Sequence, residues 1–489
     1  MLDHIPKNVI AVLHVLQNAG FEAFIVGGCV RDILLNREPK DWDITTNAIP
    51  EEIIPLFPKA VYENSFGTVA VIFEEEELDS PVRTIEVTTY RSESDYSDGR
   101  RPDSVSFSKT IEEDLKRRDF TINAMAYDPM SDRLVDLYKG QKDIELRTIR
   151  TVGGANERFG EDALRLLRAV RFAVQLGFHV EQETYTALKN NADTLQKVSR
   201  ERIRDEFNKI IMSPNPKDGI ELLRETNLLQ HFLPELLDGF HVEQNKSHVF
   251  DVYTHLINSL QHAADKDYPL HVRLSALFHD IGKPATRRFD KKTRDYTFYG
   301  HEVVGGRMVK NICKRLRYPK KTSEDVFLLV RYHMFFSDPD QITLSAVRRI
   351  ITNVGKERIW DLIHLRYCDR IGMGRPKEDP YRLRKYESMI EEALRDPISV
   401  KMLKLNGDMM ISELHMKPGK RMGWILHALL EEVIEDPTLN TKEFLVKRTL
   451  ELDNLPDKEL EALGKQGKDT KDAVDQAEVQ QLRKKYRVK

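Results

Sequence analysis

The chain has 489 residues, 76 Lys and Arg against 79 Asp and Glu, a formal net charge of −3 and 40% hydrophobic residues. That length holds two to four domains with sizeable cores, and the near-neutral balance excludes long-range attraction to a polyanion, so a nucleic-acid partner needs local basic clusters. Cys29, Cys313 and Cys368 lack metal or disulfide spacing, no charged-then-apolar leader opens the chain and no apolar run reaches membrane-spanning length, so the expectation is a soluble cytoplasmic protein with no membrane partner.

Ile5, Val9, Val12, Leu13 and Leu16 recur at helical spacing within residues 4–19 and Gly20 closes the run, which predicts a helix. Strands are expected over 21–26, 68–73 and 83–89, so about the first 150 residues read as a small domain of mixed helix and strand. From Arg158 to about residue 236 amphipathic helices take over, beginning with one that runs from Glu161 through Phe172. The rest to about 455 is largely helical, and from 457 Lys, Asp, Glu and Gln dominate, as in a solvated helix or frayed tail.

Within the first domain an apolar strand breaks at Gly27-Gly28, resumes as a short helical segment carrying Arg31, and is followed by Asp41-Trp42-Asp43. In an extended strand residues i and i+2 face one side, so Asp41 and Asp43 would project together as a platform for a divalent metal. The paired glycines let backbone N–H groups approach an anion, and Arg31 adds a charge, so the stretch reads as a phosphate cradle beside a metal pair. Glu86 alternates with Ile85 and Val87 on a strand and is the natural third carboxylate. Arg118, Asp119 and Asn123 supply donors and an acceptor suited to ribose hydroxyls and phosphates, although singly they also suit a helix cap and surface ion pairs. Asp162 and Arg165, three apart on a helix, could match the edge of a base; spacing alone favours a surface ion pair worth about 0.3–0.5 kcal/mol.

Together, the Gly-Gly-x-Val-Arg-Asp run with Asp41-Trp42-Asp43, the stretch Arg117-Arg118-Asp119-Phe120-Thr121-Ile122-Asn123-Ala124-Met125, and Glu161-Asp162-x-x-Arg165-x-x-Arg168-Ala169-x-Arg171-Phe172 resemble the class II nucleotidyltransferases. That family comprises tRNA CCA-adding enzymes and bacterial poly(A) polymerases, and the motifs stand in family order over about the first 235 residues. The resemblance implies an α+β, DNA polymerase β-like head over 1–150 and an all-α neck over 151–240. It further implies Mg²⁺ on Asp41 and Asp43, triphosphate on Gly27, Gly28 and Arg31, ribose on Arg118, Asp119 and Asn123, and base on Asp162 and Arg165, supported by Glu161 and with Arg168 completing the nucleotide site. The partners implied are a tRNA 3′ end, CTP and ATP, with no obligatory protein partner. A polar loop over 91–102 resembles the flexible loop of complete CCA-adding enzymes and argues against a CC-only enzyme. The basic extension of family poly(A) polymerases is reduced here to Arg483, Lys484, Lys485, Arg487 and Lys489, which favours CCA addition and leaves an A-adding enzyme or a poly(A) polymerase as the alternatives.

A second constellation follows. His279-Asp280 ends an apolar helical run, and a buried carboxylate without a cation carries a large desolvation cost that a metal would remove. His255 lies upstream and His301, His333 and Asp369 downstream, a ligand set on several helices that suits a hydrolytic divalent-metal site. His255, His279-Asp280 and Asp369 resemble the HD phosphohydrolase superfamily over 245–375, and His301 and His333 match additional ligands of some members. The resemblance implies a divalent metal of unspecified identity and a phosphohydrolase activity. A C-terminal helical body over 380–456 and a charged tail over 457–489 complete the expected organisation. Protein uridylyltransferases would carry ligand-sensing repeats after the HD region and alarmone synthetase–hydrolases place it first, and neither order is present.

Overall fold

The computed structural model describes residues 5–64, 67–73, 82–93, 105–245, 249–335, 342–396 and 399–466. The chain divides into two compact units, Met1–Pro234 and Glu235–Lys489.

In the first unit α1 (Lys7–Asn18) buries Val9, Val12, Leu13 and Leu16, the stripe its spacing predicts. The chain then enters β1 (Ala23–Val26), all of whose residues are buried, as expected of a continuous apolar run covered on both faces. There follow α2 (Gly28–Leu34), β2 (Asp43–Thr46), the short α3 (Pro50–Ile53), β3 (Ala60–Asn64), β4 (Thr68–Ile72) and β5 (Thr84–Thr89). Next come β6 (Arg91–Glu93), β7 (Val105–Phe107), α4 (Ile111–Lys116), β8 (Ala126–Asp128) and β9 (Arg133–Val135). Seven strands make one mixed sheet in the order β3-β4-β5-β2-β1-β8-β9, in which β2 and β5 are parallel. The α+β head expected from the sequence is therefore present. β6 pairs with β7 beside it, and of the expected 91–102 loop everything beyond Glu93 lies outside the described residues.

α5 (Gly140–Glu145), β10 (Thr148–Ile149), α6 (Ala155–Glu161), α7 (Leu164–Leu176), β11 (His179–Val180), α8 (Gln182–Asn190), α9 (Arg200–Ile211) and α10 (Pro216–Glu225) complete this unit, with α7 packed on α9 and α10. Two details depart from expectation. The short strands β10 and β11 pair in parallel within an otherwise helical region. The helix expected to run unbroken from Glu161 is interrupted: α6 ends at Glu161 and Asp162 is extended, with φ −138° and ψ 107°. The cause is local, because Asp162 Oδ1 accepts from Leu164 N at 2.9 Å, a side-chain bond that competes with helical pairing and starts α7 afresh.

α11 (Pro234–Leu237) precedes the helices of the second unit: α12 (Val252–Asp265), α13 (Leu270–Phe278) and α14 (Lys283–Thr286). A hairpin of β12 (Arg288–Asp290) and β13 (Asp295–Thr297) follows, then α15 (His301–Arg315), α16 (Lys320–Tyr332), α17 (Leu344–Val354) and α18 (Ile359–Gly372). α12 packs on α13 and α18, and α16 packs on α13 and α15. Gly372 permits the α12–α18 approach, since a Cβ there would fall 2.0 Å from Ser259 Oγ and 2.8 Å from the His255 carbonyl. α19 (Tyr381–Ala393), α20 (Gly407–Ser412), α21 (Lys420–Glu435), α22 (Lys442–Asp453) and α23 (Asp457–Gln466) follow. α23 packs on α21 with Leu460 fully buried, so the charged stretch from 457 begins as a docked helix rather than a solvated one. The basic residues from Arg483 onward lie outside the described residues. Among those described, no helix is long and apolar enough to cross a membrane.

Candidate functional site

The parallel register of β2 and β5 sets Asp43 directly opposite Glu86, so both side chains leave one face of the sheet while Ile85 and Val87 pack on the other. Asp41 stands on a bend just before β2 rather than within a strand, which corrects the expected i, i+2 geometry; the residue is exposed and Asp43 half-buried. The two carboxylates still sense each other. Burial pushes the Asp43 carboxyl up, the Arg118 guanidinium pulls it down, and the charge of Asp41 pushes it up again. Asp41, Asp43 and Glu86 are ligand types a divalent cation takes, but unlike the ligands of the second unit their oxygens are not gathered within 4.8 Å of one another.

Arg118 is aimed at this end of the site. Asp114, wholly buried, accepts from Arg118 Nη2 at 3.1 Å and from Arg117 Nη2 at 2.7 Å. Gly27 leaves the room Arg118 occupies: its φ is +85°, and a Cβ there would sit 2.9 Å from Arg118 Nη1 and 3.9 Å from Asp43 Oδ2. Four further predicted residues join in one chain of bonds. Arg31 Nη1 donates to Asn123 Oδ1 at 2.7 Å, Asn123 Nδ2 donates to Asp119 Oδ1 at 3.2 Å, and Arg168 Nε donates to Asp119 Oδ2 at 2.6 Å. Burial alone would raise the Asp119 carboxyl, but the Arg168 charge and the Asn123 hydrogen bond outweigh it and hold the carboxyl at about 2. Sequence reasoning missed the post behind this chain: the Phe172 ring lies under the guanidiniums of Arg171 (4.1 Å), Arg31 (5.2 Å) and Arg168 (5.3 Å).

Asp162 and Arg165 do not stand together as an i, i+3 pair. With Asp162 outside the helix, Arg202 of α9 reaches it, Nη2 to Oδ2 at 2.8 Å. Arg165 is clasped by the Glu161 carboxylate and donates to the carbonyls of Arg158 (3.0 Å) and Arg117 (3.1 Å). Glu161 also accepts from Arg158 Nη1 at 2.8 Å, a bracing position consistent with its expected supporting part. Arg202 had no signal of its own, being one basic residue in a charged helix.

In the second unit all six expected ligands converge. His255 comes from α12, His279 and Asp280 from the end of α13, His301 from the start of α15, His333 from the end of α16 and Asp369 from α18. They form two groups, His255, His279, Asp280 and Asp369, and Asp280, His301 and His333, within each of which the ligand atoms lie inside 4.8 Å. Asp280 belongs to both. Its Oδ2 is 3.1 Å from His255 Nε2 and 3.3 Å from His279 Nε2, while its Oδ1 is 3.1 Å from His301 Nε2 and 3.5 Å from His333 Nε2. The Nδ1 atoms of His279, His301 and His333 bond to the carbonyls of Ala276, Phe298 and Val330 at 2.9, 2.7 and 2.7 Å. A carbonyl only accepts, so each Nδ1 carries the hydrogen and each Nε2 is turned inward as a ligand atom. The Asp280 carboxyl, which burial would raise, is held well below its usual range by Lys283 and His279. Lys283 Nζ lies 2.6 Å from Asp280 Oδ2, one helical turn on from it, a pairing that the His-Asp-x-x-Lys spacing carries. Ionised carboxylates and inward imidazole nitrogens are the donor set a divalent metal takes, so these residues fit the metal implied for them.

Comparison with known proteins accords with both halves. Residues 23–150 match a family model described as Poly A polymerase head domain, 177–239 one described as probable RNA and SrmB-binding site of polymerase A, and 248–364 the HD domain. A CCA-adding enzyme of Lactobacillus helveticus is 46% identical over 231 residues, 46% of this chain and 56% of the relative, so that alignment spans little more than half the relative's length. The crystal structure of a CCA-adding enzyme from Bacillus stearothermophilus in complex with CTP is 27% identical, covering 91% of this chain and 98% of that one with a TM-score of 0.64. A CCA-adding enzyme of Ligilactobacillus salivarius is 33% identical over 459 residues, 92% of this chain and 98% of the relative. With a shared head, shared order and alignment end to end, this chain belongs to the family of CCA-adding enzymes.

Proposed function

We propose that the chain adds CCA to tRNA 3′ ends from CTP and ATP, without a template, in the cytoplasm. The observation that carries the reading is the Asp43–Glu86 register with Arg118 and Asp41 beside it, in a chain aligned over nearly its whole length with a CCA-adding enzyme. Asp41, Asp43 and Glu86 would hold Mg²⁺, which supplies charge neutralisation of the triphosphate and of the attacking oxygen. Arg118, fixed by Asp114, faces the phosphates. The Arg31–Asn123–Asp119–Arg168 chain pre-orients ribose and phosphate donors, so little ordering remains for the moment of reaction. Asp162 and Arg165, each set by separate partners, present an acceptor and a donor for the base. The terminal RNA hydroxyl attacks the α-phosphate and pyrophosphate leaves.

Incubation with tRNA lacking its end, Mg²⁺, and CTP and ATP singly and together tests this. Ordered addition of C, C and A is expected, whereas long A tracts would favour a poly(A) polymerase.

The shared Asp280 supports a second activity, hydrolysis of a phosphate ester: His255, His279, Asp280 and Asp369, with His301 and His333, would hold divalent metal, which would supply charge neutralisation of the phosphate and an activated water. Metal analysis of the purified chain and hydrolysis of p-nitrophenyl phosphate test it; a protein that retains no divalent metal and hydrolyses no ester would refute it.

A further inference from the structure

Arg31, expected to meet the triphosphate, is gripped by its own neighbour. Arg31 Nε donates to Asp32 Oδ1 at 2.9 Å and Arg31 Nη2 donates to Asp32 Oδ2 at 3.0 Å, a side-on bidentate pair. Consecutive residues of a helix do not face each other, so the pairing is no by-product of a shared face of α2; the Arg31 side chain folds back to make it. The pair is also withdrawn from solvent, with the Arg31 side chain 10% and the Asp32 side chain 21% exposed.

The charge around Arg31 gives the pairing its purpose. Arg31, Arg168 and Arg171 all stand about the Phe172 ring, 5.2, 5.3 and 4.1 Å from its centre. They feel one another: the Arg171 guanidinium is pushed down to about 10 by burial, by the charge of Arg168 and, more weakly, by that of Arg31. Three cations in one place repel unless each has an anion of its own. Arg168 has Asp119 at 2.6 Å and Arg171 has Glu206 at 3.1 Å. Arg31 has the neutral amide of Asn123, and among the described residues Asp32 is the carboxylate paired with it.

The same pairing decides which donors remain. A guanidinium carries five N–H groups. Asp32 takes one on Nε and one on Nη2, and Asn123 takes one on Nη1, which leaves one on each terminal nitrogen. A pair of N–H groups on the two Nη atoms is the fork that matches two oxygens of a phosphate. Nη2 and Nη1 lie 3.6 and 4.0 Å from where a Cβ on Gly28 would stand, beside the glycine expected to let a phosphate approach.

We propose that Asp32 is a positioning residue of the transfer site: it holds the Arg31 guanidinium so that its two unspent donors meet the triphosphate of the incoming nucleotide, and it acts through Arg31 alone. The proposal rests on the nucleotide-transfer reading of the site. It also fixes a sign. A carboxylate that was merely close to the triphosphate would repel it, and neutralising that carboxylate would tighten nucleotide binding. A carboxylate that aims Arg31 does the opposite, and its neutralisation weakens binding.

Asp32→Asn keeps the shape of the side chain and removes its charge. Without an RNA primer CTP binds and is not consumed, so its affinity can be read at equilibrium with Mg²⁺ in the full chain. CTP is expected to bind about 10-fold more weakly to Asp32→Asn than to the parent, while cytidine, which offers no phosphate, binds to both alike. In an Arg31→Ala background the further change Asp32→Asn should alter CTP binding by less than about 2-fold, because the group it acts through is gone. CTP bound as tightly as by the parent or more tightly, equal losses for cytidine and CTP, or a loss of the same size without Arg31 would each overturn the proposal. A parent chain that binds CTP no more tightly than cytidine would overturn the transfer reading and the proposal with it. A clear preference for CTP that Asp32→Asn leaves intact overturns the part of Asp32 alone.

Discussion

Gly27→Ala tests how far the transfer site depends on one missing side chain. The backbone at Gly27 has φ +85° and ψ −129°, a region that L-residues rarely enter, and forcing one there costs about 1–3 kcal/mol. The added Cβ would also fall 2.9 Å from Arg118 Nη1. An ordinary van der Waals separation is longer by roughly half an ångström to an ångström, so Arg118 must withdraw from Asp43, the group whose carboxyl it stabilises. Displacements near 1 Å in a positioned site cost up to about 100-fold in rate. The expected result is a drop in kcat/KM for CMP incorporation of about 10- to 100-fold, with unfolding stability lower by about 1–3 kcal/mol. Gly20→Ala is the internal control: its φ is +88° but a Cβ there meets nothing within 4 Å. It should lower stability comparably while leaving incorporation by the folded protein near the parent's. Equal kinetic losses in both variants, or full activity in Gly27→Ala, would refute the placement of Arg118 as a group that acts through its distance from Asp43.

Arg202→Ala releases Asp162 from its 2.8 Å partner, and since a hydrogen bond between charged groups contributes about 1.5–3 kcal/mol, the ratio of CMP to AMP addition on matched primers should shift about 10-fold; an unchanged ratio removes Arg202 from base choice. Asp280→Asn should abolish stoichiometric metal in elemental analysis and ester hydrolysis with it, while CMP incorporation continues, which separates the two centres. Asp119 has a testable pH signature. Its folded carboxyl is held down to about 2 against about 3.9 unfolded, so it stabilises the fold by about 2–3 kcal/mol above pH 5, and this is lost as pH falls through the folded value. In denaturant titrations the parent should therefore lose up to about 1 kcal/mol from this group alone between pH 6 and pH 3.5, a loss absent in Asp119→Asn; identical pH slopes for the two proteins would contradict the assignment.

What the sequence made legible follows from the range of each interaction. Glu86 was readable because a strand has period two and Ile85 and Val87 declare which face is buried, leaving the carboxylate on the other, whereas Asp43 was singled out by its spacing from Asp41, which the bend before β2 takes out of the strand. The HD ligands were readable because His-Asp at the end of an apolar helix is costly without a cation. The pairing of Asp162 was not readable. Its break in the helix depends on one side-chain bond to Leu164 N, and its partner Arg202 lies 40 residues on, in a helix whose charges look alike from sequence. The Arg31–Asn123 bond spans 92 residues and exists only because α2 and the Asn123 segment meet. Individual donors could be nominated by type, but their order in a chain of bonds is a tertiary property. The same distinction explains Asp280. Sequence offered six ligands as one set, and only the fold divides them, His255 and His279 against one carboxylate oxygen, His301 and His333 against the other.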